Sequence, residues 1–377
     1  VKLAVVLERP TQFDVPLFRH AAGDGAHELR VLYTDPRAAA PAFDPELGRE
    51  VDWGSNQLAG YDCATAPAVG VDAWLRRELG SRRDLVVVNG YTQHAYLAAN
   101  SAARAAGSPT ALRLDSVLFD EGHAGKRLAK RLLFHLAVRR LFRLFLGVGT
   151  STLDYLRALG IPAERTGLFP YPVDVGGLRA RATAALPERA RRRAELGIPS
   201  AAAVVLAVAK LHPRETPWDL LHAWPNAAAA DRWLLLAGDG PDRGAVEAFI
   251  AKRRLPRVLL LGYVPYPQLP AFFVLADLFV HAPREERWGV SVAEALGCGR
   301  AVVAADRVGA ARDLLREGRN GFTYRSRDAT ALAARIDDAL RLPPATVEVA
   351  NEAALPAWGL AATWRGLLAA AAATARP

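Results

Sequence analysis

The chain reads as an α/β protein of two doubly wound parallel sheets in series, on three observations. Short apolar runs alternate with stretches of helical periodicity. The alternation halts once, in a Pro-, Gly- and Arg-rich segment, and then resumes. The length, 377 residues, is about twice the usual domain size.

In the first half VKLAVVLE (1–8), ELRVLYT (28–34), DLVVVNG (84–90), PTALRLDS (109–116) and LFLGVGT (144–150) read as buried strands. Helical patterns over 92–106, 126–142 and 152–159 separate most of them. The stretch PYPVDVGGLRARATAALPERARRR (170–193) reads as the linker. Strands resume with AVVLAVAKL (203–211), RWLLLAG (232–238), RVLLLGYV (257–264), DLFVHAP (277–283) and AVVAAD (301–306). The expected boundaries are an N-terminal domain over 1–172, a C-terminal domain over 173–355, and a terminal helix over 356–377 crossing back to the first domain. Ligands of open α/β sheets bind beyond the carboxyl ends of the strands, so two such domains should hold theirs in a cleft between them.

Composition narrows the function classes. No apolar run reaches the ~18–20 residues that span a bilayer, and the N-terminus lacks a secretory signal pattern, so a cytoplasmic protein is expected. Cys63 and Cys298 sit among apolar neighbours and read as buried thiols. A net charge of +9 suits anionic partners, although arginine richness beside so much alanine also fits a compositional habit. No finger or RRM motif is present, so nucleic acid is set aside. The histidines are scattered, with no metal-ligand cluster and no D-x-D motif.

The segment REERWGVSVAEALGCG (284–299) carries the strongest chemistry. A polar loop leads into Trp288 and Gly289, then a helix starting near Val290 with Glu294 in its early turns. A helix N-terminus offers unpaired N–H groups to a phosphate, and Gly289 lets the backbone approach a ligand. Glu286 and Glu294 would then flank that phosphate, accepting from sugar and ribose hydroxyls. Taken alone, the spacing fits equally two surface acids stabilising a helix dipole.

Other candidates follow from position. GDGPDRG (238–244) has the wrong spacing for a dinucleotide fingerprint and reads as a turn beginning at Gly238. Tyr263, after Gly262, either stacks on a base or packs at the surface. At strand ends of the first domain, Arg113 and Asp115 of RLDS, Tyr91 of NGYTQH, and Gln12 and Phe13 of PTQFD are acceptor-side candidates. Asp115 could orient an acceptor hydroxyl, act as a base, or cap a turn. The basic amphipathic helix over 126–143, with Lys126, Arg127, Lys130, Arg131, Arg139, Arg140 and Arg143, suits peripheral contact with anionic lipid, or one buried and one solvated face.

The stretch 282–324 resembles the donor-binding segment of retaining GT-B glycosyltransferases of the GT4 type (glycosyl transferases group 1), with E-x-W-G, E-A, G and N-G-F in the family's order. AVAKLHPRETPWDLLHAW (207–224), LLLAGDGP (234–241) and 260–283 extend the similarity. LERPTQFDVPLFRHAA, FDPELGREVDW, LRLDS and GTSTLDYLRALGIP resemble a bacterial subgroup. The resemblance implies a GT-B fold and transfer of a sugar from a nucleotide-sugar, UDP-linked, to an acceptor hydroxyl with retention, without metal or cofactor. It assigns Glu286 to donor-sugar hydroxyls and Glu294 to ribose. Trp288, Gly289, Val290 and Ser291 would surround diphosphate or sugar, and Lys210 would take the first basic clamp position. At the second, where the family carries Lys, this chain aligns Glu215. Either Arg214 serves instead, which is the favoured reading, or the alignment shifts by one, or this copy is impaired. An epimerase or hydrolase of the same fold and a non-catalytic nucleotide-sugar binder are the alternatives.

Overall fold

The computed structural model describes residues 1–38, 40–51, 56–118, 124–227 and 231–374, without the side chains of Ala42, Ala124, Lys126 and Arg127. Asp52 and Trp53 of the FDPELGREVDW segment lie outside the described residues. The described strands are β1 (Lys2–Leu7), β2 (Glu28–Tyr33), β3 (Ala42–Asp44), β4 (Arg49–Val51), β5 (Cys63–Thr65), β6 (Leu85–Val88), β7 (Thr110–Leu114), β8 (Leu144–Gly147), β9 (Thr166–Leu168), β10 (Ala203–Val208), β11 (Arg232–Ala237), β12 (Val258–Gly262), β13 (Leu278–His281), β14 (Ala301–Ala305) and β15 (Gly321–Tyr324). Among the described residues no helix is long and apolar enough to cross a membrane.

The chain folds as two compact units, each with its own parallel sheet. The first comprises 1–40, 53–172 and 358–377, and its sheet runs β5-β2-β1-β6-β7-β8-β9. Its central strands are buried on both faces, which is why they read as unbroken apolar runs. The terminal segment forms the helix Leu360–Thr374, whose Trp364, Leu367 and Ala371 join Leu3, Phe18, Leu146 and Phe169 in one core cluster. The Trp364 indole N–H donates to Asp24, fixing this helix to the first unit.

The second unit comprises 41–52 and 173–357, and its sheet runs β12-β11-β10-β13-β14-β15. The chain winds outward from β10 through β11 to β12, then returns to the other side of β10 for β13, β14 and β15. That reversal makes β10 and β13 adjacent in parallel register, with Leu206 opposite Phe279. The loops leaving their carboxyl ends therefore emerge side by side at the switch point.

Two expectations are corrected. The segment 170–193 is not an open linker: it holds the helices Val175–Ala185 and Arg189–Glu195. Asp174 caps the first by accepting from Gly177 N at 2.9 Å, and buried Leu178 and Ala182 recur at helical spacing. Arg193 of the second is buried, donating to Leu275 O and to Asp277. The domain over 1–172 is also interrupted. Residues 41–52, containing the antiparallel hairpin β3–β4, belong to the second unit because their acidic turn pairs with cations there.

Candidate functional site

The site forms where β10 and β13 end. Val208 is followed by Ala209 and Lys210, and the loop continues through Arg214 and Glu215 to the helix Trp218–Ala227. His281 is followed by the loop carrying Glu286, Trp288 and Gly289, then by the helix Val290–Gly297. A hydrogen bond from Glu285 N to Arg214 O at 3.0 Å ties the loops together.

Gly289 starts the second helix with φ +91, a conformation costly for a side chain. A Cβ there would stand 2.9 Å from Val308 Cγ1 and 3.1 Å from His281 Nε2. No side chain caps this helix, and its first residues, Val290 and Ser291, are half-buried. Glu286 lies before the helix, 22% exposed, with His281 Nε2 at 3.5 Å from one carboxylate oxygen and Trp288 N donating to the other at 3.3 Å. Burial opposes its charge, but His281 and the backbone N–H groups of Trp288 and Arg287 outweigh burial and hold the carboxyl below its ordinary range. Glu294 lies inside the helix, 5% exposed. Burial pushes its carboxyl up to about 7, against a hydrogen bond from Tyr266 and the charge of Arg181.

Lys210 Nζ contacts Glu46 Oε2 at 2.6 Å and Asp44 Oδ2 at 3.0 Å, both from the β3–β4 hairpin. Arg214 Nη2 contacts the other Glu46 oxygen at 2.6 Å. Burial opposes the charge on Lys210, and the two carboxylates more than compensate, raising its ammonium above the ordinary value. Glu215, half-buried between the loops, is pushed up to about 7 by burial and then by the charge of Glu286. That shift favours the neutral form of Glu215 beside Glu286. Arg214 and Lys210 share one anion, the Glu46 carboxylate.

Two donor-side candidates are architectural. Trp288 is 1% exposed and its indole N–H donates to buried Asp313 at 3.1 Å, so it anchors the loop instead of facing a ligand. Gly238 has φ +153, and a Cβ there would stand 1.8 Å from Ala209 O; it lets the β11 loop press against the residue before Lys210. Gly262 N-terminally flanks half-buried Tyr263, whose ring lies under the Arg49 guanidinium at 4.6 Å. Arg49, Pro45 and Leu47 line a cavity with Asp239, Gly240 and Pro241.

In the first unit Arg113 is also reassigned. It is 2% exposed, pairs with buried Asp14 at 2.9 Å, and donates to Phe169 O and Pro170 O. Its guanidinium lies over the rings of Phe169 and Tyr171. Its burial and these contacts tie the side chain into the fold. Asp115 is half-buried and accepts from Tyr171 O–H at 3.3 Å. Gln12 and Phe13 precede the helix Asp14–Ala22, with Phe13 against Tyr171 at 4.6 Å, and Tyr91 packs edge-on to Phe134.

Sequence reasoning missed His281, Tyr266, Arg181 and the hairpin acids. His281 closes β13 directly before the motif, and its place at a strand's carboxyl end was a usable signal. The hairpin lies in the FDPELGREVDW resemblance, but nothing local pairs Glu46 with Lys210, 164 positions away.

Residues 188–355 match the family described as glycosyl transferases group 1. The match lies within the second unit and covers less than half of the chain. It is 28% identical over 236 residues to a D-inositol 3-phosphate glycosyltransferase of Thermobispora bispora, covering 58% of this chain and 54% of that one. It is 30% identical to a 2-deoxystreptamine glucosyltransferase of Streptomyces kanamyceticus over 39% of this chain and 38% of the relative. The chain thus spans about half, or less, of the length of these curated relatives. Solved structures share the whole fold. A Rickettsia africae glycosyltransferase superposes with TM-score 0.77 at 12% identity, covering 100% of this chain and 99% of the other. Anabaena Alr3699/HepE in complex with UDP gives 0.73 at 18% identity, covering 98% and 99%. The fold shared with these structures is GT-B, two Rossmann-like domains.

Proposed function

We propose that the protein is a retaining glycosyltransferase that moves a sugar from a UDP-linked donor to a hydroxyl of a glycan, lipid-linked sugar or small natural product. One observation carries the reading: Lys210, Arg214 and an uncapped, glycine-started helix N-terminus converge at the switch point of the second sheet, with Glu286 and Glu294 on either side. Supporting it, the structural neighbour from Anabaena is described in complex with UDP and with UDP-glucose.

In this reading the diphosphate lies against the helix N-terminus and the two cations, and Glu294 accepts from ribose hydroxyls while Glu286 accepts from the sugar. The acceptor oxygen attacks the anomeric carbon on the face the diphosphate leaves. The bond from that carbon to the phosphate oxygen breaks as the new carbon–oxygen bond forms. Its electron pair goes to the diphosphate, which takes the acceptor's proton. No residue need become a nucleophile, so rate comes from stabilising the departing charge and aligning the reactants. Neither a metal nor a cofactor is part of this scheme. The first unit, through Asp115, Gln12, Phe13 and Tyr91, would supply the acceptor side.

Incubation with labelled UDP-glucose and an acceptor panel tests this. Transfer should occur and fall about 10²–10³-fold in Lys210→Ala, the usual cost of removing one leaving-group donor. Donor binding without turnover would select the non-catalytic reading, and sugar release or isomerisation without acceptor the hydrolase or epimerase.

The same enzyme would sit at the cytoplasmic face of an anionic membrane through the helix over 126–143. Leu128, Leu132 and Leu136, four residues apart, are 60%, 51% and 59% exposed, beside Arg131 and Arg140. The side chains of Lys126 and Arg127 lie outside the described residues. Sedimentation with phosphatidylglycerol vesicles, but not phosphatidylcholine, should be lost in Leu132→Glu; equal sedimentation would remove this element.

A further inference from the structure

We propose that Glu46 is a built-in competitor for the diphosphate: its carboxylate occupies the Lys210–Arg214 clamp in the free protein and must yield it to the donor. The proposal rests on the donor-site reading above and adds to it a residue outside every motif that defines the site.

The geometry is that of an anion in an anion site. One Glu46 oxygen lies 2.6 Å from Lys210 Nζ and the other 2.6 Å from Arg214 Nη2, so one carboxylate spans both cations as two phosphate oxygens would. The presentation is built by the hairpin. Asp44 Oδ1 accepts from Glu46 N at 2.8 Å and Leu47 N at 3.1 Å, fixing the turn, while its other oxygen gives Lys210 a second contact. Gly240, at φ +147, lets the turn rest on the β11 loop: a Cβ there would stand 2.8 Å from Glu46 O and 2.5 Å from Leu211 O.

The contact is also suited to release. The side chains of Glu46, Lys210 and Arg214 are 26%, 29% and 50% exposed, so solvent reaches the pairs and each is worth little alone. A diphosphate brings more negative charge than one carboxylate and gains the helix N-terminus as well. It displaces Glu46 at a cost to its own affinity. The clamp meanwhile keeps its two like charges close together and compensated until the donor arrives, with Glu215 and Glu286 facing the same region.

Calorimetric titration of UDP, with GDP and ADP alongside so that the choice of base does not decide the outcome, tests this on the full chain. Glu46→Gln should bind the preferred nucleotide about three- to tenfold tighter than wild type, the range expected for losing a half-exposed competing pair. Glu46→Asp, too short to span both cations, should tighten binding in the same direction and serves if the first variant does not fold. Glu50→Gln, the same charge change at an exposed position of the same hairpin, should leave affinity within about twofold. Unchanged or weaker binding in both Glu46 variants overturns the proposal, as does equal tightening in Glu50→Gln. If no nucleotide binds wild type or any variant, the donor-site reading itself has failed, a result distinct from the other two.

Discussion

The two units share one strand order, to which the first adds an edge strand, and they treat the charge near the switch point in opposite ways. In the first, the loops after β1 and β6 flank the reversal, and nearby Arg113 is sealed inside by Asp14, two carbonyls and two aromatic rings. In the second, the loops after β10 and β13 flank it, and Lys210 and Arg214 remain partly exposed with a carboxylate that solvent can reach. A cation spent on the fold stabilises it; a cation held by a displaceable partner is available for chemistry. The meaning of a cation near the switch point therefore depends on what neutralises it.

The sharpest way to break the comparison is a pair of substitutions. Glu286→Ala should abolish transfer to within background, at least ~10³-fold, with the melting temperature little changed. Arg113→Ala should do the reverse. Leaving Asp14 buried and unpaired costs about 3–5 kcal/mol, so thermal unfolding should shift strongly downward while UDP affinity, read by calorimetry below the transition, holds. Similar stability loss in both would dissolve the distinction.

A smaller effect is expected at Gly238. Gly238→Ala must push Ala209 O away, destabilising by about 1–3 kcal/mol in urea unfolding and displacing Lys210. Donor affinity should weaken with it; intact affinity would mean the loop positions nothing.

The smallest concerns pH. Glu294 and Glu215 are both raised from 4.5 to about 7, so the folded chain holds their protons more tightly than the unfolded chain. Their contribution is fully present below about 4.5 and is lost as pH climbs through about 7. Melting temperature without ligand should fall from pH 5 to pH 8, and less steeply in Glu294→Gln. A flat wild-type profile would contradict the burial of these acids.

The ten long runs were legible because strands covered on both faces are predominantly apolar, and a single polar residue such as Arg30 or Arg113 does not break the run. β5 and β9, three residues each, lie at the two edges of the first sheet and carry too few residues to show a pattern. The helices within 170–193 were hidden by arginines that composition assigns to solvent, although Arg193 spends its guanidinium on Leu275 O, Ala202 O and Asp277. At the site, Glu286, Gly289 and Glu294 were readable because one loop and one helix hold them in a fixed local spacing. Trp288 belonged to the same spacing yet serves the loop's packing, a distinction that only its burial against Asp313 reveals. Glu46 is invisible locally because its meaning comes entirely from a partner brought to it by folding.

The path of the chain sets the order in which these parts can exist. It begins in the first unit, lends 41–52 to the second, returns, departs again at Val173 and comes home only at Trp358. A ribosome that has finished the first seven-stranded sheet has still not made the helix carrying Trp364 and Leu367, so Phe18, Leu146 and Phe169 wait uncovered while the whole second unit is synthesised. A cut after Pro172 would leave that apolar face bare for good, and would also strip the second unit of the acid paired with Lys210 and Arg214.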